Sequence, residues 1–475
     1  MTLDAATSLH STLRGNPSAM RRAQLGWGIY ETAISPFYAL VPIFIFSAYF
    51  VNHVAPDPIT GQSTWGMVQA VSGFAVAIFS PILGALADHA GPRKPWIALT
   101  SLIGGIGMAM LWFVQPDPSY MWIGFVIMVV TLIMLEYAHV FFYAMLPSIT
   151  DDDSIGLVSG VSYGVSQLFT IFTLAAVLIA FALPGTVDLG FVPDAPLFGI
   201  DQAAYESDRV VGPIAALWFG IVCLPLFFMV PDKAKATMST KQALGHGLTT
   251  LLETMRSMGH FKNVAAFLLA RMVFYDGLNA VFFFGGVFAA SIFGWGVLEL
   301  ALYGMLSIGS SGLGGLVGAW ADPKFGSKPT ILAALVVAAI MVLGFVSVDQ
   351  GQLFFVLHYD VASDAAAFST VPEKAILVMT AIFSAAVGPV IASSRTMMAK
   401  LSPHEHMTEF FGLYALAGKA TSFVAPMLIA VITAQTESLH LGFSVTIFLI
   451  VGGAIALAVY VKEERATPLK RAEHV

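Results

Sequence analysis

A short segment of this chain occurs twice, once in each half, and each copy lies between two long apolar stretches. Residues 84–95 read GALADHAGPRKP and residues 318–329 read GAWADPKFGSKP. They align without a gap, 234 positions apart, and Gly84/Gly318, Ala85/Ala319, Ala87/Ala321, Asp88/Asp322, Lys94/Lys328 and Pro95/Pro329 are identical pairs. A loop repeated at half-chain spacing demands a fold that is itself built of two related halves.

The apolar stretches say what those halves are made of. A membrane-spanning helix needs about 20 predominantly apolar residues. Twelve stretches qualify: 25–50, 66–87, 96–115, 119–146, 157–183 and 210–230 in the first half, and 263–291, 297–321, 330–348, 374–399, 410–433 and 441–461 in the second. Only 11% of the 475 residues are charged and 57% are hydrophobic, whereas a soluble domain carries about 25% charged residues. A break in 119–146 or 263–291 would alter the count. The expected fold is all-α and integral to the membrane, with twelve transmembrane helices in two pseudo-symmetric six-helix bundles. The expected layout is a tail over 1–24, a bundle over 25–230, a linker over 231–262, a bundle over 263–461 and a tail over 462–475. Within the linker, Leu244–Met258 reads as a surface helix.

Basic residues orient the chain, because cytoplasmic loops carry an excess of Lys and Arg. With the N-terminus cytoplasmic, 17 of the 22 Lys and Arg fall in cytoplasmic segments, among them Arg93, Lys94, Lys324 and Lys328. Both termini and both copies of the repeat are then cytoplasmic. The first 24 residues are polar and no small-residue cleavage site follows a short apolar core, so the first span reads as an uncleaved anchor. An inner (plasma) membrane is the expected location, with a vacuolar membrane the alternative. The net charge of −7 and the lack of a long basic run argue against nucleic-acid binding. Cys223 is the single cysteine, so no intrachain disulfide can form.

Gly84, Asp88, Gly91, Arg93 and Lys94 fit the pattern G-x-x-x-D-x-x-G-x-R-[KR]. In this position between the second and third spans, they resemble the loop signature of the major facilitator superfamily. The second copy is degenerate, with Ser327 where a basic residue is usual. Four further segments resemble the vacuole-effluxer family within it: Tyr30-Glu31-Thr32-Ala33-Ile34-Ser35-Pro36-Phe37, Phe142-Tyr143-Ala144-Met145-Leu146-Pro147, Ser394-Arg395-Thr396, and the segment from Phe411 to Thr421. Glu31, Thr32, Ile34 and Ala144 depart from the family pattern. The resemblance implies a secondary transporter that alternates its access by rocking one bundle against the other. It also implies a small zwitterion such as a neutral amino acid as substrate and protons as the coupling ion. Sugars, peptides and drug-like compounds stay open, as does a non-transporting receptor on the same fold. No nucleophile elbow, zinc motif or phosphate-cradling loop is present, so neither an intramembrane enzyme nor an ATP-driven pump is expected.

Charged groups inside apolar stretches cost about 2.5–3.5 kcal/mol each on insertion scales, so they face a cavity or a partner. Glu31, Glu136, Arg271, Asp276, Arg395 and Lys419 are such groups, and His139 joins them. Trp27, Glu31, Ile34 and Tyr38 share one helical face, flanked by Tyr30. Tyr275-Asp276 in the seventh span echoes Tyr30-Glu31. The resemblance implies that these first spans of each half line the central cavity, where Glu31 and Asp276 would take up a proton or a cationic substrate group. The bland alternative is that each carboxylate only locks to a buried base. Glu136, His139 and Tyr143 form one polar stripe, fit either for proton relay or for a hydrogen-bonded brace. Arg395 could clamp a carboxylate bidentately, or latch to Glu136 or Asp276. Lys419 offers a point charge. Tyr163, Gln167 and Asn279 are further cavity candidates. Arg271 lies near a span end and is expected to snorkel. Superfamily resemblance implies that Asp88 bonds near the start of the eleventh helix, holding the halves together, with Asp322 in a weaker matching part. His404, Glu405 and His406 read as solvated loop residues, and no cofactor or metal is expected. The expected partners are a small-molecule substrate, protons or another coupling ion, and the lipid bilayer. A monomer suffices.

Overall fold

A computed structural model describes residue 13 and residues 15–462, apart from 152–153, 186–189, 233–260, 296, 361–365 and 404–406. The surface helix expected over Leu244–Met258, the loop residues His404–His406 and nearly all of the C-terminal tail lie outside the described residues. So do the side chains of residues 85–90, Asp88 among them.

Twelve helical stretches carry the described chain. They are α1 (Pro17–Val54), α2 (Pro58–Ala90), α3 (Lys94–Met110), α4 (Met121–Tyr143), α5 (Ile155–Val177) and α6 (Glu206–Met229), then α7 (Lys262–Phe293), α8 (Val297–Phe325), α9 (Ser327–Val346), α10 (Val371–Leu401), α11 (Met407–Thr436) and α12 (Leu439–Tyr460). Among the described residues, eleven helices are long and apolar enough to cross a membrane. The other, α8, runs for 29 residues, about 43 Å at 1.5 Å per residue, and packs between α5 and α10. Large apolar side chains such as Leu102, Phe172, Ile340 and Phe448 are exposed, as a lipid-facing surface requires. A small hairpin, β1 (Gln352–Leu353) with β2 (Leu357–His358), sits in the α9–α10 connection.

The boundaries depart from expectation where local chemistry overrides hydropathy. The first helix begins at Pro17, inside the expected tail. The Asn16 side chain accepts from the Ala19 N–H at 3.2 Å, and proline is favoured in a first turn. Neither 119–146 nor 263–291 is broken. The break falls instead in α11, at residues 420–423, between Met407–Lys419 and Val424–Thr436. In α1, Ala39–Phe44 and Phe50–Val54 widen to π-helical turns, the first of them around Pro42 and close after Pro36. Proline has no N–H to give the preceding turn, which loosens the helix there.

The repeat is a structural repeat down to single hydrogen bonds. Gly91 (φ 89°) ends α2 and Gly326 (φ 93°) ends α8. Both take a positive φ, which glycine alone adopts cheaply. The turn glycine is displaced by one residue in the second copy, since Gly326 aligns with Pro92. Lys94 Nζ donates to the Phe227 carbonyl of α6 at 2.8 Å. Its counterpart Lys328 donates to the Ala458 and Val461 carbonyls at the end of α12 at 2.8 and 2.7 Å. The Asp232 carboxylate caps α3, accepting from the Arg93 and Lys94 N–H groups at 3.0 and 2.7 Å.

The halves meet through small residues at the end that bears the repeated loops. A methyl group added to Gly84 would collide with the Thr408 and Glu409 backbone, and one on Gly412 with Ser80 and Pro81. These contacts clasp α2 to α11. On the other side, Gly160 lies against Ala319 and Gly164 against the Gly312 carbonyl, seating α5 on α8. Toward the opposite end α2 packs within its own half, with Gly61 against the Val51 backbone of α1, while a methyl on Gly66 or Gly73 meets nothing within 4 Å.

Candidate functional site

Ion pairs cross the interface between the halves at two places among the described residues. In each, the cation belongs to the second half and the carboxylate to the first. Arg395 of α10 donates from Nη1 to Glu31 Oε1 of α1 at 2.7 Å. Its Nε donates to Ser159 Oγ and its Nη2 to the Ser159 carbonyl, both at 3.1 Å. The guanidinium also lies over the rings of Tyr143 (4.8 Å) and Trp27 (5.4 Å). All these partners are in the first half. Arg395 is only 1% exposed and Glu31 5%, so the pair is dry. Glu31 Oε2 is buried without a hydrogen-bond partner.

The second pair is wetter. Lys419 Nζ lies 3.1 Å from Glu136 Oε1, with the lysine side chain 36% exposed. The Tyr38 hydroxyl donates to the same carboxylate oxygen at 3.3 Å. Tyr38, His139 and Tyr143 stack in series, with centroids 6.1 and 5.1 Å apart. This aromatic column runs from the wet pair to the dry one. A cavity of about 120 Å³ borders Glu136 and Lys419, lined also by Tyr38, Gln69, Ser72 and Val76. It is roomy and polar enough to admit water. It lies where α2 stands away from α11.

The expected site residues thus divide. Trp27, Glu31, Tyr143 and Arg395 gather at one pair, and Tyr38, Glu136, His139 and Lys419 at the other. Arg395 pairs with Glu31 rather than with Glu136 or Asp276. Tyr30 turns into the first half, where its hydroxyl shares a 2.7 Å hydrogen bond with Ser101 Oγ. Tyr163 bonds Ser311 Oγ at 2.9 Å, and Gln167 packs on Gly312, so both belong to the α5–α8 seam. Asn279 is half-buried on α7. Asp276 is buried on α7 and makes no ion pair among the described residues. Sequence reading missed Ser159, Gln69 and Ser72. Gln69, a polar residue within an apolar stretch, was the readable signal; the two serines offered none.

Arg271 corrects an expectation. It does not snorkel: it is 5% exposed and lies between the rings of Tyr275 (4.4 Å) and Tyr414 (3.6 Å). An arginine held on two aromatic faces is drawn into the protein rather than along the bilayer normal. Tyr275 therefore stacks on a cation.

The loop motif supplies the clasp. Arg93 donates from Nε to Thr408 Oγ1 and from Nη1 to the Ala144 carbonyl, both at 2.8 Å, tying α2–α3 to the starts of α11 and the end of α4. In the second half, Asp322 accepts from Ser327 Oγ at 3.0 Å and from Lys400 at 3.5 Å, and its side chain lies against Gly156 at the start of α5.

Two bundles of six helices, ion pairs across their seam and a clasp at one end define a secondary transporter of the major facilitator fold. Solved structures of that fold superpose on nearly the whole chain. One is the proton:xylose symporter XylE (TM-score 0.66, 11% identity, 94% of this chain and 97% of that one). Another is FucP in the outward conformation (TM-score 0.65, 13% identity, 93% and 99%). The chain belongs to the Atg22-like vacuole effluxer family, whose model matches residues 47–470. Among its relatives is YxiO of Bacillus subtilis, described as an uncharacterized MFS-type transporter, 24% identical over 464 residues that cover 94% of this chain and 96% of YxiO. Autophagy-related protein 22 of Pichia angusta is 25% identical over 272 residues, covering 51% of this chain and 45% of that protein.

Proposed function

We propose that this protein couples proton movement to the passage of a small zwitterion, with neutral amino acids the favoured class, by alternating access between its halves. The observation that carries the reading is the pair of ion pairs across the seam, one dry and one beside a cavity. Rocking the halves apart at the loop end must draw Arg395 away from Glu31, Ser159, Trp27 and Tyr143 together. Separation takes four contacts of one guanidinium apart at once, so Glu31–Arg395 acts as a lock on this state.

Glu136 is the proton-linked group. It faces Lys419 from α11 and Tyr38 from α1, with His139 one turn along its own helix. A proton on Glu136 cancels its charge and releases Lys419. The free oxygen of Glu31 is a second seat, for a proton or a substrate ammonium once the lock opens. Asp88 is assigned to the clasp with Arg93, and Asp322 to the matching one. By the distribution of Lys and Arg, the loop end is cytoplasmic and the cavity faces outward across a plasma membrane. The segments 25–230 and 263–461 are the rocking bodies, and the working unit is a monomer.

The test is uptake of labelled neutral amino acids into proteoliposomes, with and without an inward proton gradient. Gradient-stimulated accumulation supports the proposal. Uptake indifferent to the gradient removes the proton, and uptake of sugars alone removes the zwitterion.

A further inference from the structure

We propose that Arg271, in its sandwich between Tyr275 and Tyr414, is the anchor for a carboxylate on the transported solute. This rests on the zwitterion reading above and names the residue that holds one end of it. Arg395 is fully engaged: all three of its nitrogens donate to Glu31 or Ser159. Lys419 is engaged with Glu136. Arg271 is different. Among the described residues it forms no ion pair, and its only hydrogen bond is from Nη1 to the Tyr414 carbonyl at 3.0 Å. Its Nε is buried with no partner.

A guanidinium held away from water with one of five donors satisfied is under-coordinated. The two rings stabilise its charge but cannot satisfy its N–H groups in the guanidinium plane, and Nε stays without a partner. A carboxylate complements that fork with two parallel hydrogen bonds. The surroundings suit a ligand as well. Gly418 packs directly against the guanidinium, where a methyl group would come within 3.1 Å of Nη1, and the next residue, Lys419, lines the cavity. The α11 helix breaks just beyond, at 420–423. Interrupted helices beside a mid-membrane site are where transporters bring backbone and charge to a solute. Protonating Glu136 would leave Lys419 and Arg271 as neighbouring cations, raising the pull on an anion at the moment of coupling.

The test uses the purified full-length protein and matched probe sets: each of several neutral amino acids, its carboxamide and its des-amino acid. Binding is read by thermal stabilisation in detergent, independently of transport. The proposal expects amino acids and des-amino acids to stabilise the wild type and carboxamides to bind at least tenfold more weakly. It expects R271Q to lose that discrimination. R271K keeps the charge but not the fork and covers the case in which R271Q fails to fold; it should weaken carboxylate binding about tenfold. Carboxylates that stabilise R271K as well as the wild type, or carboxamides that bind as well as acids, would overturn the anchor. If carboxylates bind through Arg271 but no proton gradient drives uptake, the anchor stands and the coupling reading fails. If gradient-driven uptake occurs with R271Q unchanged for acids and amides alike, the reverse holds.

Discussion

Arg395 reaches across the seam between the halves to lie 2.7 Å from Glu31, a residue 364 positions away, and both are buried. The relationship makes a charge on each half depend on the other. Replacing Glu31 by Gln leaves the guanidinium without its counter-charge. The expected result is a fall in thermal stability of about 3–5 kcal/mol, as for other half-broken buried pairs, with the loop end opening more often. Unfolding followed in detergent, and thiol labelling of cysteines placed along the α5–α8 seam, check both.

The clasp and the gap on α2 give opposite expectations for the same substitution. Gly84→Ala puts a methyl into the Thr408 and Glu409 backbone and should slow transport by preventing closure at the loop end. Gly73→Ala meets nothing and should leave transport near wild type. Initial uptake rates of the two variants, at matched membrane expression, make the comparison.

Lys94 and Lys328 cap the last helix of their own halves. Lys94→Met and Lys328→Met should each lower thermal stability by about 1 kcal/mol, since each removes a charged donor from part-buried carbonyls, Phe227 and Val461. Their effects should add, because the two caps share no partner. A double variant measured beside the single ones tests that.

Uptake should rise as the pH on the cavity side falls, because protonation removes the Glu136 charge and releases Lys419. In Glu136→Gln the carboxylate is absent at every pH, so the dependence should flatten. Lys419→Met should flatten it too, for the complementary reason. Rates across a pH series in proteoliposomes check the sign.

Much of the fold was legible because membranes read length and charge directly. The twelve spans follow from the hydrocarbon thickness, and the two halves from the repeat at 84 and 318. The individual charges were legible as costly, but their pairing was not, since nothing in the chain links position 31 to 395 or 136 to 419. One local helix distortion escaped as well: the α11 break falls at Ala420–Phe423, which contains neither Gly nor Pro. Arg271 was misplaced because distance along the helix suggested snorkelling, whereas two tyrosines from separate helices fix its direction. Ser159 and Ser72 carry no signal beyond being serines among apolar neighbours.

The central claim is that the wet pair, Glu136 with Lys419, links the proton to movement of the halves. The most direct measurement compares Glu136→Gln with the wild type in two assays on the same proteoliposomes: accumulation driven by a proton gradient, and exchange of labelled for unlabelled solute without one. The account predicts that the variant loses accumulation and keeps exchange. Accumulation at the wild-type level in Glu136→Gln would contradict it.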